Sequence, residues 1–345
     1  MNKKLSIRDI GKALGVSVTT ISFILNGKAR EKRISESLTK KVLDYVEEVG
    51  FKPNSIAQGL RTGKSKIIGL MVEDISNVFF AQVARLIEGE AHNKGYRILY
   101  CSTENKVEKT RELIKMFRDR LIDGFIITPP EGVEEEVQSL MNDNIPVILA
   151  DRFLPDLRSS YVVIDNFNST HNAINHLIAQ GFQNIAFITL DSEQTQMLER
   201  LRGYEKAVAA NSLKSFIRKL DFHDSSEQNI MQISSYLKAH KEIDAVLFGT
   251  NYIGIWGLQA IKSLNLLIPS DIGVVSFDDH DLFKLYNPPI TAIAQPTEEI
   301  SKQIIRLMLN LLDGSDDGVK VQEIVLPATL IIRESSERLG ADVSG

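Results

Sequence analysis

Cysteine is nearly absent from this sequence: Cys101 stands alone among 345 residues. A lone thiol cannot form an internal bridge, so a disulfide scaffold is excluded and nothing implies an oxidising compartment. Long apolar runs are missing too, none approaching the roughly 18 residues of a membrane span. Met1-Asn2-Lys3-Lys4-Leu5-Ser6 leads into no apolar stretch of the secretory type. A cytoplasmic chain with no membrane partner is expected. Compositional bias is lacking as well. Hydrophobic residues at 43% and charged residues at 25% are globular averages, which excludes disordered and collagen-like chains. The length suggests about two or three domains.

Signs of catalysis are equally scarce. The histidines His92, His171, His176, His223, His240 and His280 show no metal-ligand spacing. No Gly-x-Ser-x-Gly elbow occurs, and no strand is followed by the glycine fingerprint of a dinucleotide fold. Gly59-Leu60-Arg61-Thr62-Gly63-Lys64-Ser65 imitates a phosphate-binding loop, but its glycines stand too close and it precedes the first strand. No catalytic residue, metal ligand or cofactor is therefore assigned.

What is present is a charge asymmetry. The net charge of −5 conceals residues 1–66, with fourteen Lys/Arg and six Asp/Glu, joined to a remainder with a net of −13. A basic head on an acidic body indicates a polyanion-binding module carried by something else.

Within the head, Ser6 and Asp9 form a capping signal before Ile7, Ile10, Ala13 and Leu14 at helical spacing. Gly15-Val16-Ser17 permits a turn and caps a second helix carrying Val18, Ile21, Ile24 and Leu25, which stops at Asn26-Gly27. Ser35 opens a third helix with Leu38, Val42, Tyr45, Val46 and Val49 inward, ended by Gly50. Two short helices around a tight turn predict a helix-turn-helix whose second helix enters a major groove.

Val16-Ser17-Val18-Thr19-Thr20-Ile21-Ser22, Leu25-Asn26-Gly27, Gly50-Phe51-Lys52-Pro53-Asn54 and Ala57-Gln58-Gly59-Leu60-Arg61 together resemble the LacI family of bacterial transcription regulators. The resemblance implies double-stranded operator DNA as partner, read by Val18, Thr19 and Phe23. Thr20 and Ser22 would contact phosphates, with Ser17 and Asn26 on the same interface. It also implies a hinge helix bearing Asn54, Ala57, Leu60 and Arg61, with Leu60 as an apolar wedge between base steps. Phe23 departs from the Arg or His usual there. It has two readings, packing on a thymine methyl or serving as a core residue.

Beyond residue 66 short apolar runs alternate with helical stretches: Ile67 to Val72, Arg97 to Tyr100, Gly124 to Ile127, Pro146 to Leu149, Val162 to Ile164, Ile185 to Ile188, Ala245 to Phe248 and Gly273 to Phe277. The pattern predicts an α/β body of two doubly wound parallel-sheet subdomains, matching the periplasmic-binding-protein-like architecture that the resemblance implies. The expected domains are 1–50, the helix-turn-helix; 51–66, hinge and linker; and 67–345, effector binding and dimerisation. The subdomains are expected at about 67–161 with 290–321, and 162–289 with 322–340.

Ligands of such sheets bind at the carboxyl ends of strands. Asp151-Arg152, Asp165-Asn166, Asn251 and Asp278-Asp279 occupy such ends. The resemblance adds Arg200, in an Arg-x-x-Gly-aromatic segment, and the aromatic walls Phe79, Phe80 and Phe222. Bidentate Arg with carboxylates and amides suits adjacent hydroxyls, so the expected effector is a sugar or sugar phosphate, although a purine uses similar groups. Duller readings stand beside these. Asp165, Asn166 and Asp279 could only cap helices, Asp151 and Arg152 could only pair, and Phe79 and Phe80 could be core. Asn251 is followed by Tyr252 where the family usually has Asp.

The reading that joins these features is a homodimeric, sugar-controlled repressor of carbohydrate-utilisation genes on a pseudo-palindromic operator. The tail from Ser335 to Gly340 lacks an apolar heptad, so no tetramerising coiled coil is expected. The rivals are a sugar-binding transport or sensor protein without a DNA role, and an enzyme on a doubly wound scaffold.

Overall fold

The computed structural model describes residues 5–51, 64–314 and 321–338, which divide into two compact units, 1–65 and 66–345. Each unit follows from its own hydrophobic pattern.

The head consists of α1 (Ile7–Leu14), α2 (Val18–Leu25) and α3 (Glu36–Glu48). Ser6 and Asp9 form a reciprocal capping box at the start of α1, and Gly15 closes that helix in the left-handed conformation at φ 65°. The side chains of Ser17 and Ser35 accept hydrogen bonds from the backbone N–H groups of Thr20 and Leu38, capping α2 and α3. Ile10, Ile21, Ile24 and Val42 form the buried centre, one or two from each helix.

The body contains two six-stranded sheets. The first is built from β1 (Ile67–Val72), β2 (Arg97–Ser102), β3 (Gly124–Ile127), β4 (Val147–Ala150), β5 (Tyr161–Ile164) and β11 (Glu323–Leu326), in the order β2-β1-β3-β4-β5-β11. All its neighbouring pairs are parallel. The second is built from β6 (Ile185–Leu190), β7 (Phe216–Leu220), β8 (Ala245–Phe248), β9 (Gly273–Phe277), β10 (Thr291–Ala294) and β12 (Thr329–Ile331). Its order, β7-β6-β8-β9-β10-β12, repeats the first, except that β12 runs antiparallel to β10.

The connecting helices are α4 (Val78–Asn93), α5 (Val107–Asp119) and α6 (Glu134–Asn142) in the first lobe, then α7 (Asn166–Ala179), α8 (Thr195–Ala210), α9 (Ser226–Ala239), α10 (Asn251–Ser263) and the short α11 (Asp281–Leu285) in the second. The last, α12 (Thr297–Asp313), buries Ile300, Ile304, Met308 and Leu312 against α4 and strands β3 to β5 of the first lobe. The strands are continuously apolar because both sheet faces are covered. Ile68, Leu70, Ile126 and Ile148 join one core cluster, while Met71, Phe125, Ile127 and Leu149 join another.

The expected subdomain boundaries need correction. Val162 to Ile164 extends the first sheet and pairs with β11, while Thr291 to Ala294 extends the second. The chain therefore crosses between lobes after Ile164, after Ala294 and again after Leu326, rather than near 161, 289 and 321. Pro288-Pro289 is a loop signal only, and the short strand behind it carries too little pattern to be read alone. Among the described residues, no helix is long and apolar enough to cross a membrane, and no group of His, Cys, Asp and Glu could hold a metal.

Candidate functional site

In the head, the exposed face of α2 is the candidate nucleic-acid surface. Val18, 40% exposed, and exposed Thr19 open the helix, and exposed Asn26 closes it. Phe23 is half-buried and lies outside the core cluster, with the Lys32 ammonium 5.5 Å from its ring centroid. The core reading of Phe23 therefore fails, and an apolar surface under a cation remains. Ser17 and Thr20 share a 2.8 Å hydroxyl contact at the cap.

Ser22 is a correction. It is buried, and the Asn26 side-chain amide donates to its carbonyl at 2.7 Å and lies 3.2 Å from its hydroxyl, so it braces the end of α2 rather than facing a phosphate. Lys28, Arg30 and Arg33 are exposed nearby in sequence. Asn54, Ala57, Leu60 and Arg61 lie outside the described residues. Ser17→Ala should lower head stability by about 1 kcal/mol through loss of the N-cap. Denaturant titration followed by circular dichroism reads this, and an unchanged midpoint would show that the cap is not needed.

In the body, the carboxyl ends of both sheets converge on a polar cleft. Glu73 follows β1, Asn105 follows β2 and Arg152 follows β4. The Arg152 guanidinium, 2% exposed, donates to Glu73 at 2.7 Å, to Asn105 at 2.9 Å and to Asp151 at 3.2 Å. Burial is the largest influence on Arg152 and works against its charge. Glu73 and Asp151 together outweigh burial, leaving the guanidinium more firmly protonated than usual. Asp151 holds this position at φ 70°.

From the second lobe, Arg200 on α8 is 2% exposed. Its Nε donates to the Asn166 side-chain oxygen at 2.8 Å and its Nη1 to the Gly249 carbonyl at 2.7 Å. Its guanidinium also lies 3.5 Å from the Phe277 ring centroid. Burial lowers the Arg200 pKa, with Asp278 and then Asp151 opposing it. Asp278, at φ 64°, accepts from the Gln295 amide at 2.6 Å. Burial raises the Asp278 carboxyl, and Arg200 and Gln295 pull it back. Tyr252 is raised well above its ordinary value by burial first and by Glu73 next.

Several contacts join the lobes across the cleft, among them two between polar side chains and the opposite wall. The Asn251 amide donates to the Asn77 side-chain oxygen at 3.1 Å, and the Thr195 hydroxyl lies 3.4 Å from the Phe153 backbone N–H. A cavity of about 170 Å³ opens between Phe79 and Gln82 of the first lobe and Asp278, Lys284 and Gln295.

Asp151, Arg152, Arg200, Asn251 and Asp278 thus come together, and Phe79 lines the cavity. Phe222 packs edge-on to Tyr252, with ring centroids 6.5 Å apart. Two expectations fail. Phe80 is buried in the core, because adjacent helical residues point about 100° apart and only one can face the cleft. Asp165 caps α7, accepting from the backbone and side-chain N–H groups of Asn168 at 3.0 and 2.6 Å.

Glu73, Asn105 and Gln295 were not singled out from sequence. Glu73 and Asn105 obey the same strand-end rule that selected Asp151, whereas Gln295 follows a strand the sequence pattern does not reveal. The residue pair Asn166 and Arg200, on α7 and α8, is set by the close packing of those two helices.

Comparison with known proteins agrees with this geometry. The family described as bacterial regulatory proteins of the lacI family matches residues 6–54, and the periplasmic binding protein-like domain matches residues 174–336. The chain is 31% identical over 336 residues to the HTH-type transcriptional regulator KdgR of Bacillus subtilis (strain 168), covering 96% of this chain and 97% of that one. A periplasmic binding protein/LacI transcriptional regulator from Alkaliphilus metalliredigens QYMF, solved with D-xylulofuranose, is 27% identical. It superposes with a TM-score of 0.70 over 78% of this chain and 98% of that chain. The lac repressor dimer bound to operator and the anti-inducer ONPF shares the fold at a TM-score of 0.83 and 22% identity, over 97% of this chain and 99% of that chain. The curated relatives are transcriptional regulators, not enzymes.

Proposed function

Because the chain belongs to the LacI family of bacterial regulatory proteins, we propose that it is a homodimeric repressor of carbohydrate-utilisation genes. Paired heads grip a pseudo-palindromic operator, and a small sugar is sensed in the cleft between the two lobes. The observation that carries this reading is the combination, in one chain, of a basic three-helix unit with an exposed second helix and a two-lobed body whose strand ends bring Asp151, Asp278 and Asn251 to one cleft with Arg200 of α8. A transport protein has no use for the first part. The family membership disfavours an enzyme.

Val18, Thr19 and Phe23 form the base-reading surface, apolar and hydroxyl contacts suiting thymine methyls and base edges. A single small head touches few bases, and a two-fold dimer doubles the site. On the sensing side, a ligand that binds one lobe arrangement better than the other shifts that equilibrium, and DNA affinity changes by the same factor in the reciprocal direction. The Asn77–Asn251 and Phe153–Thr195 contacts are candidates for the bonds such a ligand reinforces or replaces. The D-xylulofuranose complex of the Alkaliphilus relative supports a sugar as the ligand class.

Fluorescence anisotropy on random duplex DNA tests the head. A dimer neutralising about 6–10 phosphates should lose roughly 10³–10⁵-fold in affinity between ~50 and ~200 mM salt. Absence of binding at the lower salt would overturn the regulator reading, and a monomer by light scattering would overturn the dimer.

A further inference from the structure

We propose that the cleft takes a neutral, hydroxyl-rich sugar and rejects phosphorylated or carboxylated ones, with Glu73 as the residue that sets this choice. The inference rests on the sugar-sensing reading and narrows it.

An anion entering a buried site needs a guanidinium or ammonium with N–H groups to give, because its lost hydration must be replaced by charge-assisted hydrogen bonds. In this cleft both guanidiniums are already bonded to protein groups and face carboxylates of the protein itself. Arg152 spends Nη2 on Glu73 at 2.7 Å, Nη1 on Asn105 at 2.9 Å and Nε on Asp151 at 3.2 Å. Asn105 in turn donates to the Glu73 carboxylate at 2.9 Å, locking both partners of the guanidinium together. Arg200 is held by the Asn166 oxygen and the Gly249 carbonyl, with its face against Phe277.

On the rim, Lys284 lies 2.9 Å from Asp281 and 4.0 Å from Asp279, and Asp279 is also paired to Arg333 at 2.8 Å. In the cleft, the carboxylates of Glu73, Asp151 and Asp278 stand against the guanidiniums of Arg152 and Arg200. An incoming phosphate or carboxylate meets an excess of its own sign. A sugar hydroxyl meets the opposite situation, since carboxylates are acceptors for the protons it offers.

Glu73 decides the outcome because it holds the outer end of the Arg152 guanidinium. With glutamine there, Asp151 remains the only carboxylate hydrogen-bonded to Arg152, and Nη2 can turn to a ligand anion. Asp151→Asn loosens Nε instead and likewise removes one carboxylate from the cleft. Asn is among the residues that best tolerate the positive φ of position 151.

Isothermal titration calorimetry on the full chain tests this, with inorganic sulfate and three matched pairs: D-glucose and its 6-phosphate, D-ribose and its 5-phosphate, D-galactose and D-galacturonate. The wild type should bind no charged member more tightly than its neutral parent. Glu73→Gln should gain about tenfold or more in affinity for sulfate and for the charged members, and adding Arg152→Met should abolish the gain. Any sulfate held by the basic head is common to all variants, so the difference reports the cleft. Asp151→Asn serves as the second variant should Glu73→Gln fold poorly.

The proposal is overturned if a charged sugar outbinds its neutral parent in the wild type, or if neither variant gains anion affinity. If no neutral sugar binds but both variants gain sulfate, the charge assignment stands and the sugar-sensing reading falls.

Discussion

Replacing Arg152 with methionine is expected to destabilise the body by about 3–5 kcal/mol, among the largest losses a single substitution gives. The guanidinium is buried and is the hydrogen-bonded counter-charge of both Glu73 and Asp151. Methionine fills a similar volume, so the cavity contribution is small. What remains is two carboxylates near the sheet ends with their shared cation gone, and their desolvation is then unbalanced. Asn105, which bonds both Arg152 and Glu73, loses one partner as well. Urea denaturation of the full chain, followed by tryptophan fluorescence from Trp256, measures the loss. The double variant with Glu73→Gln should recover part of it, because one of the stranded charges is removed. A loss under about 1 kcal/mol would mean that solvent, not Arg152, balances these carboxylates.

The second large effect is expected at Gly203. A Cβ there would sit 2.4 Å from the Phe167 carbonyl oxygen, 3.0 Å from the Thr170 Cβ and 3.2 Å from the His171 nitrogen. Two of these obstacles are backbone atoms of α7, which cannot rotate aside. Gly203→Ala should therefore cost about 2–3 kcal/mol, and Gly203→Val more, by forcing α8 away from α7. The functional consequence follows from geometry. Arg200 lies one helical turn before Gly203 and bonds Asn166 at the start of α7, so separating the helices pulls the guanidinium off the residue that aims it. Lower thermal stability together with weaker sugar binding is the expected result. An alanine variant with both unchanged would show that the helices yield without cost.

Much of this arrangement was legible beforehand, for reasons that differ by element. β1, β3, β8 and β9 are buried on both faces, so their apolar runs end where the strands end. β10, β11 and β12 are short edge or near-edge strands with weak pattern, and missing them misplaced the crossings between lobes. Within the cleft, the strand-end rule together with the family likeness reached Asp151, Arg152, Arg200, Asn251 and Asp278. It did not determine what each side chain bonds. Arg152 was read with Asp151, while its closer carboxylate, Glu73, is 79 positions away and only the parallel register unites them. Ser22 and Phe80 failed for another reason: each lies on a helix whose rotation about its axis decides between core and surface, and a one-residue difference reverses the answer.

The threefold crossing of the chain has a consequence for synthesis. The first sheet is not complete until Glu323–Leu326 joins β5, and the second not until Thr329–Ile331 joins β10. The head, by contrast, has its whole core within the first 51 residues. As the polypeptide leaves the ribosome, the head can fold at once, whereas both sheets of the body are completed only by strands that emerge late. A chain truncated before residue 323 therefore keeps the core of the head but lacks the closing strand of both lobes.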